Sequence, residues 1–424
     1  MSAPAGRSDG GTGAVPASAQ AAGFEFAPLV DLHDHLDGGL RPATVIDLAR
    51  ECGYTGLPTT DADDLARWFV QAADSGSLEQ FLQTFAHTVA VLQTPAALER
   101  VAAEAVVDLA RDGVGWAEIR MAPELCENQR QSMDEAVAAM LAGLREGERM
   151  ARAEGHDIAA GLIICAMRQA DRADDVARVL QRHVDDGVVG FDIAGPEAGF
   201  PPLRLASAFG LVRQTGANIT VHAGEADGVE SIRQALDVGA QRLGHGVRIA
   251  QDISVTAAGA AHLGEVAREV RDRGIALEVC PTSNVQTGAV SSMPEHPLAW
   301  LDALGLLVTI NPDNRLMCGV GVSHEMRVAG GLRRGRVSGT GAGTAASTGQ
   351  GAGTGTAAGA GSGSVHAPEA QRRFDGVAAR DTAAPEVDRA AMLRWTRNAV
   401  DSAFATHDVK HQLRARIDDL VGSA

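Results

Sequence analysis

Short apolar or β-branched runs recur along the chain, and longer stretches with helical spacing separate them. Serine, threonine or proline opens several helical stretches, as at Ser132-x-x-Glu135, and glycine tends to close them. The apolar runs span residues 29–33, 116–120, 158–165, 188–193, 219–222, 242–245, 275–279 and 306–311. Eight consecutive βα units predict a parallel sheet that closes into a (β/α)8 barrel, the TIM-barrel fold.

An open, doubly wound sheet is the alternative arrangement of repeated βα units. Its dinucleotide-binding version requires a Gly-x-Gly-x-x-Gly turn directly after a strand. No such turn follows any of the predicted strands. The closed barrel is therefore the favoured fold, and its active site is expected at the carboxyl ends of the strands.

Two stretches have a composition that cannot support a packed core. Residues 1–22 consist mainly of Gly, Ala, Ser and Pro and predict a disordered leader. A Gly-, Ala- and Thr-rich run at 335–364 predicts a flexible insertion, which we extend over residues 329–388 with its flanks. The barrel catalytic domain is then expected at 23–328, and residues 389–424 predict C-terminal helices that complete it.

Composition narrows the possible partners and the compartment. The formal net charge of −17 argues against nucleic acid or an anionic membrane as a partner. The 5 cysteines are scattered and contain no Cys-x-x-Cys, so no disulfide framework is indicated. No stretch approaches the ~20 apolar residues that span a bilayer, and the N terminus lacks the apolar segment of a signal peptide. We expect a cytoplasmic protein, and the sequence does not indicate its oligomeric state.

Polar residues with metal-binding or acid–base chemistry stand at the ends of four predicted strands. His33 and His35 end the first strand, where residues two apart point to the same face. The residues at the ends of strands five, six and eight are His222, Glu225, His245, Asp313 and Asn314. In a TIM barrel these strand ends meet at one rim, where active sites are built.

Each of these residues has an ordinary structural interpretation when it is taken alone, but their joint occurrence at strand ends favours a metal site. Three histidines and one aspartate are a suitable set for one Zn²⁺ with a water. That set is His33, His35, His222 and Asp313. Glu225 is then a candidate proton donor, and His245 is either a base or a residue that orients the attacking hydroxide.

The lysine content of the chain bears on the number of metal ions in the site. Barrel hydrolases with two metals commonly bridge them with a carboxylated lysine at a strand end. Lys410 is the only lysine in the chain, and it lies beyond the eighth strand. A lysine-bridged pair of metals is therefore excluded, and one metal ion per chain is predicted.

With those residues assembled, the chain resembles the adenosine deaminase family of metal-dependent barrel hydrolases. The resemblance runs from about residue 29 to 327 and resumes weakly near 396–404. The matching segments are LHDHLDG (32–38), AEIRMAPEL (117–125), GFDIAGPE (190–197), VHAGE (221–225), RLGHG (242–246), EVCPTSN (278–284) and NPDN (311–314).

The resemblance implies a role for each site residue. It makes His33, His35, His222 and Asp313 the zinc ligands. It implies that Glu225 protonates N1 of the purine ring and that His245 lies beside the hydroxide that attacks C6. It places Asp37 at the ribose, the backbone of Gly195 at purine N3 and Asn314 at purine N7.

One segment departs from the family pattern. Many members have Thr-Asp-Asp where this chain has Pro312-Asp313-Asn314. An aspartate must be protonated to donate a hydrogen bond to N7, whereas the amide of Asn314 carries its donors at any pH. The departure leaves the reaction class unchanged and bears only on which substrate is bound.

The predicted reaction is zinc-dependent hydrolytic deamination of adenosine and 2′-deoxyadenosine to inosine and ammonia, in purine salvage. A deaminase of free adenine, an N6-modified nucleotide or another adenine-bearing metabolite is an alternative. A catalytically silent metal-binding paralogue is a second one, although such a protein has no need of Glu225. Asp37 favours a nucleoside, because a carboxylate suits sugar hydroxyls and repels a 5′-phosphate.

Overall fold

The structure is a computed structural model that describes residues 28–256, 260–334 and 388–422. The predicted leader at 1–22 and the low-complexity run at 335–364 lie outside the described residues. Among those described, no helix combines the length and the apolar character that crossing a bilayer requires.

Eight parallel strands form the central sheet, as predicted for a TIM barrel. Their order is β1-β2-β3-β4-β5-β6-β9-β10, so each strand pairs with the next barrel strand along the chain. They are β1 Leu29–His35, β2 Val114–Met121, β3 Ala159–Met167, β4 Val188–Ala194, β5 Asn218–Ala223, β6 Arg242–His245, β9 Ala276–Val279 and β10 Val308–Ile310. A small antiparallel hairpin that the sequence did not predict, β7 Ile253–Val255 and β8 Ala261–Leu263, follows β6.

Helices connect the strands and cover the outside of the barrel. The α-helices are α1 Pro42–Cys52, α2 Ala62–Ala73, α3 Leu78–Phe81, α4 Phe85–Val91, α5 Pro95–Arg111, α6 Met133–Ala153, α7 Ala173–His183, α8 Ala206–Thr215, α9 Val229–Asp237, α10 Glu265–Asp272, α11 Pro281–Gln286, α12 Leu298–Ala303, α13 Arg315–Cys318, α14 Val322–Arg334, α15 Arg389–Ser402 and α16 His407–Gly422. Short 3₁₀ turns lie at Leu36–Gly38, Leu82–Thr84, Pro123–Leu125, Val184–Asp186, Pro202–Leu205, Val247–Asp252 and Met293–Glu295. The Ser132–Glu135 capping box forms as predicted at the start of α6.

The barrel closes between β10 and β1 through residues of the predicted metal site. The backbone N–H of His35 donates to the carbonyl of Asp313 at 2.8 Å, and the N–H of Asp313 donates to the carbonyl of His33 at 3.0 Å. The side chain of Asn311 accepts a further hydrogen bond from the N–H of Leu32 at 2.9 Å. Barrel closure and the placement of these side chains therefore depend on the same contacts.

Helices α15 and α16 close the amino-terminal end of the barrel. Val400, Leu413 and Ile417 pack with Val30 and Trp116 in a small hydrophobic cluster. Helix α15 also packs on β10 and β1.

The described chain extends further than the boundary predicted for the barrel domain. Helix α14 continues past residue 328 to Arg334, and Met326 and Ala329 are buried along it. Residues 329–334 were predicted to belong to the insertion, and the structure corrects that boundary. The boundary was placed too early because the arginines at 333–336 made this part of the chain look like a polar loop, although the helix buries an apolar face. The backbone N–H of Asp388 donates to the carbonyl of Gly330 at 3.4 Å, so the chain returns beside the point where it leaves.

Candidate active site

The four predicted metal ligands converge at the carboxyl end of the barrel. One ligand atom from each of His33, His35, His222 and Asp313 lies within 4.8 Å of the others. Asp313 Oδ1 is 3.3 Å from His33 Nε2 and 3.4 Å from His35 Nε2, and the two Nε2 atoms of His35 and His222 are 3.2 Å apart. Three imidazole nitrogens and a carboxylate oxygen around one point are a ligand set typical of catalytic zinc.

Two carboxylates fix the ring orientation of two of these histidines. Nδ1 of His33 donates to Glu278 Oε2, and Nδ1 of His222 donates to Asp192 Oδ2, each at 2.7 Å. Because an ionised carboxylate only accepts hydrogen bonds, the proton of each ring is on Nδ1. Nε2 of each ring is thus left unprotonated, which is the form that binds a metal.

Two buried atoms of the cluster also fit a metal ion. Nε2 of His33 and Oδ1 of Asp313 are both buried, and neither makes a hydrogen bond within the part of the chain that the structure describes. The other oxygen of Asp313 accepts a hydrogen bond from the Ser283 hydroxyl at 2.6 Å. A buried acceptor without a donor is costly, and a cation at this point would satisfy both atoms.

A chain of buried ion pairs supports the ligands from within the barrel. Its members, in order, are Glu118, Arg242, Glu278, Arg120 and Asp192. Burial alone would raise the pKa of Glu278, but the guanidinium groups of Arg120 and Arg242 hold that pKa well below its ordinary value. Glu278 is therefore an ionised acceptor for His33. Sequence reasoning missed this network, although Glu118 and Arg120 stand two residues apart on β2 and share a face.

Two site residues have an uncommon backbone conformation. His245 and Asp313, with φ of 60° and 63°, are the non-glycine residues with positive φ among those described. Such conformations cost on the order of 1–3 kcal/mol for residues with a side chain and are found mainly at functional sites. At these strand ends they turn the side chains of His245 and Asp313 toward the rim of the barrel.

Glu225 has the properties of a general acid at neutral pH. Its side chain is buried, and burial raises the pKa of this carboxyl to about 7. Its Oε2 lies 3.5 Å from Nε2 of His245. Burial lowers the pKa of His245 to about 4, so this imidazole is neutral above pH 4. A protonated carboxyl beside a neutral imidazole can deliver a proton to a bound ring nitrogen.

The backbone around Glu225 is held by a second buried glutamate that the sequence did not single out. The carboxylate of Glu197 accepts hydrogen bonds at 2.6–3.0 Å from the N–H groups of Gly224, Glu225, Ala226 and Asp227 and from the Ser231 hydroxyl. Five donors on one carboxylate leave the loop little freedom. Glu197 ends the segment GFDIAGPE, but nothing in the sequence shows that its side chain reaches this loop.

A partly open cavity of about 510 Å³ lies beside the cluster. Its lining includes His35, His222, Glu225, His245 and Asp313 together with Asp37, Gly195 and Asn314. All three predicted substrate-binding residues therefore face the same space as three of the four predicted ligands. The remaining walls are largely apolar and include Leu78, Phe81, Leu82, Phe85, Leu125 and Met167.

The three substrate-binding candidates are suited to polar contacts. Burial raises the pKa of Asp37 to about 7, and its Oδ1 makes no hydrogen bond within the described chain. The buried Oδ1 of Asn314 likewise makes no hydrogen bond within the described chain. Gly195 has φ of 97°, and a Cβ at this position would lie 2.4 Å from Gln169 Oε1. Only glycine leaves the backbone here accessible to a ligand.

Comparisons with known proteins agree with this site. The family model described as adenosine deaminase matches residues 28–334. Adenosine deaminase 1 of Streptomyces coelicolor is 55% identical over 300 residues, 70% of this chain and 76% of the relative. The adenosine deaminase of Mycobacteroides abscessus is 54% identical over 301 residues, 71% of this chain and 83% of the relative.

The fold is shared with solved structures as well. The adenine deaminase of Arthrobacter aurescens superposes with a TM-score of 0.70, covering 93% of this chain and 99% of that chain, at 23% identity. Similarity at that level of identity supports the barrel fold alone. The family model, by contrast, covers residues 28–334, and the two curated relatives are 55% and 54% identical over about 300 residues, so the chain belongs to the adenosine deaminase family.

Proposed function

We propose that this protein is a cytoplasmic enzyme of purine salvage that hydrolyses adenosine and 2′-deoxyadenosine to the corresponding inosine and ammonia, with one Zn²⁺ per chain. The observation that carries the proposal is the position of Glu225. This protonatable carboxyl lines the same cavity as His35, His222 and Asp313, which form the four-residue cluster together with the fully buried His33. The five unpaired cysteines are consistent with a reducing compartment.

The residues divide the reaction among them. Zinc, when bound by the cluster, would supply the Lewis acidity that makes water a nucleophile near neutral pH. Glu225 donates its proton to N1 of the purine ring, which makes C6 more electrophilic. The oxygen of water adds at C6, and one of its protons passes to the exocyclic amino group, so that the C6–N bond breaks and ammonia leaves. The second proton of the water returns to the carboxylate of Glu225, while N1 keeps the proton it received. His245, held within 3.5 Å of Glu225, borders the position of the attacking water.

The lining of the cavity supports a nucleoside over a nucleotide. Among the described residues, no arginine or lysine lines the cavity, whereas the carboxyl groups of Asp37 and Glu79 both line it. Phosphate groups are bound by arginine, lysine or clustered backbone N–H groups. A 5′-phosphate would therefore meet carboxylates in this cavity and no cationic side chain.

A substrate profile tests the proposal. Loss of absorbance at the adenine band would be followed with adenosine, 2′-deoxyadenosine, free adenine and AMP. We expect both nucleosides to be converted and AMP to be converted at least about 100-fold less efficiently, since a buried unpaired charge costs several kcal/mol. Comparable turnover of adenine, with none of adenosine, would overturn the choice of substrate.

Replacing Asp37 with asparagine is expected to weaken adenosine use selectively. A hydrogen bond to a charged carboxylate contributes about 1.5–3 kcal/mol, so kcat/KM for adenosine should fall about 10- to 100-fold, mainly through KM. Any residual activity on free adenine should not change. Asp408→Asn, at a position with 94% side-chain exposure, is the matched control. An unchanged KM for adenosine in Asp37→Asn would remove Asp37 from the sugar site.

We also propose that the low-complexity run at 335–364 is not needed for catalysis. The hydrogen bond between Asp388 and Gly330 brings the two described ends of this connection together, so a shorter connection can join them. Deleting residues 335–364 should leave kcat/KM for adenosine within about twofold of the full chain. A loss of tenfold or more in a protein with the same zinc content would assign this segment a role at the site.

A further inference from the structure

A line of buried hydrogen bonds runs from His245 away from the cavity. Nδ1 of His245 is 3.0 Å from the amide nitrogen of Asn284, and the amide oxygen of Asn284 is 3.3 Å from Nε2 of His296. Nδ1 of His296 accepts a hydrogen bond from the backbone N–H of Leu298 at 3.1 Å. All three polar side chains are at least 98% buried.

The hydrogen bond from Leu298 determines which group donates and which accepts in every other hydrogen bond of this line. The backbone N–H of Leu298 can only donate, so Nδ1 of His296 carries no proton. A neutral imidazole has one proton, which must then be on Nε2 of His296. That nitrogen donates to the oxygen of Asn284, and the Asn284 NH₂ group consequently faces His245.

The reverse orientation of the Asn284 amide is chemically inconsistent. Its NH₂ group would point at Nε2 of His296, which would have to accept. Nδ1 of His296 already accepts from Leu298, so the ring would have no proton on either nitrogen. A doubly protonated His296 fails as well, because its Nδ1–H would point at the N–H of Leu298. One arrangement of protons remains.

We propose that Asn284 and His296 are positioning residues that keep the proton of His245 on Nε2. Nδ1 of His245 must accept from the Asn284 NH₂ group, which leaves Nε2 as the protonated nitrogen. Nε2 is the ring atom that lies 3.5 Å from Glu225 Oε2 and faces the reacting groups. The inference rests on the proposed function only for what this N–H does in catalysis.

This proton placement decides between two roles for His245. The sequence left His245 as either a base or a residue that orients the attacking hydroxide. A neutral imidazole with its proton on Nε2 has no lone pair on that atom with which to take a proton from water. His245 therefore donates a hydrogen bond toward the cavity and orients the attacking oxygen, and it is not the base.

Nitrogen NMR of the zinc-loaded enzyme tests the assignment directly. Histidine labelled with ¹⁵N gives long-range ¹H–¹⁵N correlations that distinguish the two neutral tautomers, and His245→Gln identifies which signals belong to His245. We expect the pattern of a neutral ring protonated on Nε2. A native spectrum with the His245 proton on Nδ1 would overturn the proposal.

Two substitutions of Asn284 add a test with kinetics. Asn284→Asp replaces the donor with a carboxylate that accepts, so the His245 proton should move to Nδ1. Asn284→Leu removes the donor, and the tautomer should no longer be fixed. In both variants kcat should fall, by about 10- to 10⁴-fold, the upper end being the cost of a wrong histidine tautomer in a serine-protease triad. KM should change by less than about threefold, because substrate contacts remain.

A matched variant and a second outcome complete the experiment. Gln129→Glu makes the same amide-to-carboxylate change at an exposed position and should leave both spectrum and kcat unchanged. The proposal fails if both Asn284 variants keep the native tautomer and the native kcat. If the Nε2–H pattern is found in a protein that does not deaminate adenosine, the proposed function fails and the tautomer assignment stands.

Discussion

Replacing Glu225 with glutamine is expected to lower kcat for adenosine by about 10²- to 10⁴-fold, the usual contribution of a general acid. Glutamine keeps the shape and the hydrogen-bonding reach of the side chain but has no acidic proton to transfer. The substitution leaves the four predicted ligands in place, so zinc content measured by atomic absorption should remain one per chain. A silent, metal-binding paralogue would show no difference between the two proteins.

The pH profile of the native enzyme adds to this prediction. A general acid acts in its protonated form, and burial raises the pKa of Glu225 to about 7. If Glu225 is that acid, as we propose, activity should fall as the pH rises through that value. Glu225→Gln should lack this basic limb. Glu230→Gln, at a side chain with 69% exposure, is the control and should keep both the limb and the rate. A Glu225→Gln enzyme with at least a third of native kcat would remove the acid role, and one without zinc would make Glu225 a ligand instead.

Replacing His222 with alanine is expected to lower both zinc content and activity. The substitution removes one of four ligands and leaves Asp192 without the imidazole that donates to it at 2.7 Å. Without the metal, the pKa of water returns from about 7 toward about 15.7, so kcat/KM should fall at least about 10³-fold. Zinc should be less than stoichiometric after dialysis, because removing a ligand is more severe than removing an outer partner, which already costs about 10- to 100-fold in affinity.

The control for His222→Ala separates the metal from general destabilisation. His262→Ala changes an exposed histidine on the β7–β8 hairpin and should leave zinc, activity and melting temperature unchanged. His222→Ala itself should fold, because removing one partner of a buried charged pair costs about 3–5 kcal/mol, which is below the stability of about 5–15 kcal/mol of a typical domain, and Asp192 keeps its ion pair with Arg120. A folded His222→Ala protein with full zinc and full activity would show that the ligand set is wrong.

The sequence predicted the barrel because its periodicity is strong and local. Each of the eight apolar runs is a strand in the structure, and glycines such as Gly113 and Gly216 end helices with the positive φ expected of them. The hairpin β7–β8 was missed because strands of 3 residues show no reliable alternation. The end of α14 was missed because residues 333–336 are polar or glycine, so the last turns of the helix were assigned to the low-complexity insertion.

The site residues at strand ends could be predicted from the sequence, whereas the carboxylates that contact them from the barrel interior could not. His33, His222 and Asp313 stand at the carboxyl ends of predicted strands, so the fold alone brings them together. Glu278 and Asp192, which accept hydrogen bonds from His33 and His222, are buried in the barrel interior, where most side chains are expected to be apolar. Which carboxylate faces which histidine depends on register between distant strands, and local patterns carry no information about that register.

The central claim is that this protein uses a metal held by the four-residue cluster to hydrolyse adenosine. Purified enzyme would be assayed for inosine and ammonia from adenosine as isolated, after removal of metal by a chelator, and after zinc is added back. We predict stoichiometric inosine and ammonia from the zinc-loaded protein, loss of both products after chelation, and recovery at one Zn²⁺ per chain. Equal release of ammonia by the metal-free and the zinc-loaded protein would contradict the account.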